Sequence, residues 1–190
     1  MSQPAVRPVV VPGSLRSGLA SQRIRALVLP LEWRSLRPGD LLWVQEPVTI
    51  EARHFRPGQI WARYSGWGRA LPTDWPDRKP QPRPGYVKAA DMPQECSRFT
   101  LRVVWVHRLS LTQVGIPLAV ECGVTGKVGS WTPCGAPEGF LPYGRVYDAL
   151  RVTFEEMGGK RGFRSPAVTV VQFECLARNV GRVLAREVDA

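Results

Sequence analysis

Cysteine and histidine are scarce in this chain. The four cysteines, Cys96, Cys122, Cys134 and Cys175, form no CxxC pair and have no histidine set beside them, since there are only two histidines. A zinc site is therefore not expected, and no other metal or cofactor is. The thiols read as free groups of a reducing compartment. Long apolar runs are also missing: the amino terminus MSQPAVRPVVVPG lacks a segment of signal-peptide length, and no stretch approaches the roughly 20 apolar residues of a membrane span. The expectation is a cytoplasmic protein with no membrane partner.

Lysine is the next shortage. The chain carries 22 Arg against 4 Lys, with a net charge of +10 and a pI near 10.2. Arginine's planar fork grips phosphate bidentately and stacks on bases, which suits nucleic acid better than general solubility requires. A GC-rich coding sequence would also favour Arg over Lys, but it leaves the shortage of balancing acids unexplained. What is present is globular: 190 residues, 44% apolar and 22% charged, enough for one domain with a real core. Gly and Pro each occur 18 times, so turns are many and strands short. No internal repeat is found.

Along the chain, Val9 to Val11 reads as a short strand, and Ser14 as a cap for the short helix that follows. In LRPGDLLWVQEP, Pro38-Gly39-Asp40 is a turn and the apolar run after it a strand. Alternation puts Leu42, Val44 and Glu46 on one face of it and Leu41, Trp43 and Gln45 on the other, which raises the question of whether Glu46 guards a pocket or caps a strand. Residues 53–83 read as a long loop apart from Ile60 to Tyr64, and in it Trp67 and Trp75 stand among arginines, where such rings either stack bases or, more often, pin the loop to the body. FTLRVVWVHRL is the clearest strand, with Phe99, Leu101, Val103, Trp105, His107 and Leu109 on its core face. Ile116 to Val124 and Tyr147 to Met157 read as helices, the second stopped by Gly158-Gly159. Ala167 to Leu176 is a β-branched strand. The domain expected is thus a single one over residues 1–176, with a Pro/Gly/Trp-rich insertion at about 53–85 and a tail at 177–190 that is a peripheral helix or frayed.

Several of these segments resemble, in order, those of prophage-associated ASCH-domain proteins of the PUA-like superfamily. PGDLLWVQE is similar to that family's PGDRLWVRE, MPQECSRFTLRVVWVHRLSLTQV to its MPRWASRxTLxVxxVRVERLQDI, and SPAVTVVQFECL to its NPWVWVxxFE. AVECGV stands where the family has AxAEGV, and YDALRVTFEEMGG where it has FxxLWDxING. The resemblance spans about Val9 to Leu176. It implies an α+β fold, a small PUA-like mixed β-barrel with two or three peripheral helices, and an association with RNA. The family's GRKTQTRR run is matched by GLASQRIR, Gly18 to Arg25: its lysine is Ala20 here, its first threonine Ser21, its second Arg23, and its last arginine is kept as Arg25. The tryptophans of two patterns are replaced by Glu95 and Ala167.

These readings lead to a nucleic-acid-binding module, for RNA, with a basic cleft formed near Arg23, Arg25, Glu46, Lys88 and Arg98. In it Arg25 and Arg98 hold phosphates, while Glu46 accepts from a base edge or orients an arginine. The alternative is a hydrolase of a modified nucleoside, as in relatives that act on N4-acetylcytidine, or a ribonuclease, with Glu46 and Ser21 as catalytic groups. Against it, alanine at position 20 cannot supply a lysine amine, and Ser21 has no general base near it in sequence. A third reading is a catalytically inactive phage interaction protein.

Overall fold

The computed structural model describes residues 4–52, 58–65, 68–161 and 166–188. In chain order the elements are β1 (Val6–Val10), α1 (Gly13–Ala20), β2 (Ala26–Pro30), β3 (Leu41–Gln45), β4 (Val48–Ile50), β5 (Gln59–Tyr64), β6 (Leu71–Asp74), β7 (Gly85–Val87), β8 (Thr100–Ser110), α2 (Ile116–Glu121), β9 (Thr125–Lys127), β10 (Ser130–Thr132), α3 (Val146–Glu156), β11 (Ala167–Leu176) and α4 (Val180–Val188). The fold is mixed α+β. Among the described residues the strands form no closed barrel: β6 and β7 are the free edges of one sheet, and β2 is the terminal strand of another.

The contacts divide the chain into two compact units, the first of residues 1–5, 11–40 and 101–175, the second of residues 6–10, 41–100 and 176–190. In the first, β11 lies between β8 and β2 and pairs antiparallel with β2, Val170 opposite Val28. That face is covered by Leu150 and Phe154 of α3 and Ala119 of α2, which close a core with Val28, Val168 and Val170. α3 ends in a Schellman motif: Gly159 N–H donates to the Phe154 carbonyl at 2.9 Å and Gly158 N–H to Glu155 at 3.2 Å, and Gly158 takes the φ of +88° that the motif needs. α1 ends the same way with Gln22 at φ +56° in the glycine position, and this reversal sets the course of Arg23 and Ile24. Its N-cap is Pro12, not Ser14.

In the second unit β1 pairs parallel with β3, and β6-β5-β4-β7 form an antiparallel sheet in that order. Within the stretch expected as a loop, Ile60 to Tyr64 is strand as expected, in β5, and β6 is a further strand of four residues, too short to leave much periodicity in the sequence. Trp67 lies outside the described residues. The tail expected at 177–190 contains α4. Asn179 caps this helix, its Oδ1 accepting from Gly181 N–H at 2.8 Å. Its Nδ2 donates to the carbonyl of Gln94 at 2.6 Å, which ties the helix start to the turn before Arg98. Among the described residues no helix is long and apolar enough to cross a membrane.

Candidate functional site

The PGD turn forms as expected, with Gly39 at φ +93° and the Asp40 carboxylate accepting from Arg37 N–H at 2.8 Å. The strand it launches is covered on both sides: Leu41 to Glu46 are all buried. Glu46 has no exposed surface. Its Oε1 accepts from Arg98 Nε at 2.8 Å and its Oε2 from Arg98 Nη2 at 2.7 Å, a bidentate pair across 52 residues of sequence. Of the two roles expected for Glu46, orienting an arginine is the one this geometry performs. Each carboxylate oxygen accepts one N–H of Arg98, and the group lies behind that guanidinium.

Arg98 is fixed on its other side by rings. Its guanidinium carbon lies 4.3 Å from the Tyr64 centroid and 5.1 Å from that of Phe99. The Tyr64 hydroxyl donates to the Cys96 carbonyl at 2.7 Å. The Ser97 hydroxyl sits 3.0 Å from the Val44 carbonyl and 2.9 Å from that of Phe99, locking the segment beside β3. This assembly forms one wall of a cleft of about 640 Å³ in the second unit. Trp75 and Pro72 line another side, and Arg178, Asn179 and Arg182 the rim. Trp75 also pins its loop, its indole N–H donating to the Lys79 carbonyl at 3.2 Å. Acids are interspersed, Asp74 paired with Arg182 and Glu95 with Lys79.

The residues expected to form one cleft fall in both units. Glu46, Lys88 and Arg98 belong to the second, where Glu46 lies behind Arg98 and Lys88 is exposed after β7, away from the residues lining the cleft. Ser21, Arg23 and Arg25 belong to the first. Ser21 Oγ donates to the Ser17 carbonyl at 2.8 Å and accepts from Arg23 Nε at 3.0 Å. Arg23 and Arg25 are exposed. Tyr64, Phe99, Arg178, Asn179 and Arg182 were missed by sequence reasoning. Asn179 ahead of the spaced apolar Val180, Val183 and Leu184 is a helix-start signal that marks the rim.

Burial raises the Tyr64 phenol from 10.0 to about 12, and burial likewise raises the Cys96 thiol from 9.0 to about 12. Both groups hold their protons more tightly folded than unfolded, so their contribution is complete below pH 9 and is lost as pH climbs to 12. In a near-ultraviolet tyrosinate titration, one of the four tyrosines is expected to ionise late, together with falling urea resistance over that window. Four tyrosines ionising together near the usual value while the fold persists would contradict the burial of Tyr64.

No protein-family model, curated protein or solved structure matches the chain.

Proposed function

We propose that this protein is a nucleic-acid-binding module, acting on RNA in a reducing, cytoplasmic compartment, and a divergent PUA-like relative of the prophage-associated ASCH proteins. The observation that carries the binding reading is Arg98, a guanidinium held by a buried carboxylate and set over two rings in the wall of a cleft rimmed by Arg178 and Arg182. A volume of about 640 Å³ suits a nucleotide-sized group. Aromatic walls take a base by stacking and exposed arginines take phosphate. The net charge of +10 supplies the long-range attraction. The family relationship is supported by five motifs occurring in the same order. The four cysteines are free, as a reducing compartment requires. Hydrolysis receives less support, because both oxygens of Glu46 accept from Arg98.

The test is RNA retention by the full chain over a salt series. Wild type is expected to bind with log affinity falling linearly in log salt. The double variant Arg178→Ala/Arg182→Ala should bind more weakly, with a slope shallower by roughly 1.4, about 0.7 for each single-strand phosphate contact removed. Wild-type protein that retains no RNA at low salt overturns the reading; an unchanged slope in the double variant overturns the choice of cleft.

A further inference from the structure

The face of β8 that the sequence assigns wholly to the core leaves it partway. Leu101 and Val103 are buried, yet Trp105, two residues on, is 62% exposed. His107 is half-buried, and Leu109 packs against the first unit's core. Next to this exposed indole is a directed row of hydrogen bonds, all within the first unit. Gln172 Nε2 donates to Glu121 Oε2 at 2.7 Å, and Gln172 Oε1 lies 3.0 Å from His107 Nε2. Only the amide nitrogen can donate to a carboxylate, so Oε1 faces the imidazole and His107 Nε2 carries its proton. In the neutral ring Nδ1 is then an acceptor.

Arg25 borders the row. Its N–H donates to the Glu121 carbonyl at 3.0 Å, and its carbonyl accepts from Phe173 N–H at 2.9 Å. It precedes Ala26, which stands opposite Gln172. The Arg25 backbone is thus held between Glu121 and Phe173, its guanidinium Nε donates to the Gln22 carbonyl at 3.4 Å, and Arg23 lies two residues away, both side chains exposed. An exposed tryptophan by itself is ordinary surface. An exposed indole two residues along the strand from an imidazole of fixed tautomer, with two arginines at the border, has the parts of a base-reading site: a flat ring to stack on, an acceptor for an amino group, and cations for the flanking phosphates.

We propose that Trp105, His107, Gln172 and Glu121, bordered by Arg25, form a subsite that stacks one unpaired base of single-stranded RNA on the Trp105 indole and accepts its exocyclic amino proton at His107, so that adenine and cytosine are taken in preference to uracil and hypoxanthine. Adenine and cytosine present an amino donor on the edge where uracil and hypoxanthine present a carbonyl, which His107 Nδ1 cannot serve. This inference rests on the nucleic-acid-binding reading and assigns it a second contact point, on the first unit.

The experiment measures binding of short labelled homopolymers of A, C, U and inosine to the full chain, with quenching of tryptophan fluorescence recorded in the same titration. A and C are expected to bind more tightly than U and inosine and to quench. Trp105→Ala should weaken A and C by about tenfold, one stacked base, and remove the preference while keeping the salt slope, since no phosphate contact is lost; Trp105→Phe should restore much of the binding. Arg178→Ala/Arg182→Ala should do the reverse, lowering the slope and keeping the preference. RNA binding that ignores both Trp105→Ala and base identity overturns the subsite and leaves the binding function standing. If wild type retains none of the four polymers at low salt, the function and the subsite fall together.

Discussion

Replacing Arg98 with alanine is expected to destabilise the protein by about 3–5 kcal/mol, because it strands the Glu46 carboxylate in the interior without its counter-charge. The side chains of Arg98 and Glu46 are 11% and 1% exposed, so in the folded protein the two N–H donors, not bulk water, satisfy the carboxylate. The loss should appear as a lower urea midpoint at unchanged m-value, and as a melting point lower by about 2–4 °C per kcal/mol in a chain of this length. Arg98→Lys should recover only part of it, since an ammonium cannot make the bidentate pair. Glu46→Leu/Arg98→Met, which removes both charges and keeps the volume, should cost far less than either single truncation. A loss below about 1 kcal/mol for Arg98→Ala would place the pair among ordinary surface ion pairs and remove the basis for treating Arg98 as a rigid wall. The same expectation is why the binding test uses Arg178 and Arg182 at the rim, where truncation leaves the interior intact.

The second large effect belongs to the first unit. Phe154 is 3% exposed in the core beneath α3, and Phe154→Ala should cost about 3–5 kcal/mol through lost burial and the cavity left behind. Gly159 gives this substitution a partner. A methyl group there would lie 2.3 Å from Cε1 of the Phe154 ring, so Gly159→Ala alone should cost about 1–3 kcal/mol by overpacking. Once the ring is gone the methyl has room, and the double variant should lose clearly less than the two singles together. Strict additivity in urea unfolding would mean that ring and glycine are not packed as described.

Features set by neighbouring residues were legible in the sequence. The Pro38-Gly39-Asp40 turn, the β-branched run of β11, and the stop of α3 at Gly158-Gly159 all follow from backbone chemistry within a few positions. Burial was not legible where it depends on what distant chain covers a strand. Nothing within FTLRVVWVHRL reveals that cover stops after Val103 and leaves Trp105 in solvent. Nor does LLWVQEP reveal that Glu46 will meet an arginine 52 residues away. The four-stranded sheet was hidden because β4 and β7 have three residues each and draw their stability from pairing across loops rather than from an alternating pattern of their own. Of the candidate site, Glu46 and Arg98 were found by motif, whereas Tyr64, Phe99 and the rim at Arg178 to Arg182 required tertiary structure to bring them together.

The second unit gathers residues 6–10, 41–100 and 176–190, and the wall of its cleft includes Ala177 to Arg182. During synthesis β1 can meet its partner β3 early, but the cleft must wait while the whole of residues 101–175 is translated. Until Arg182 has cleared the ribosomal exit tunnel, the nascent polypeptide has Tyr64, Phe99 and Arg98 but not the rim of the cleft. The cleft is thus completed only when two segments separated by the whole of the first unit's longest stretch have met.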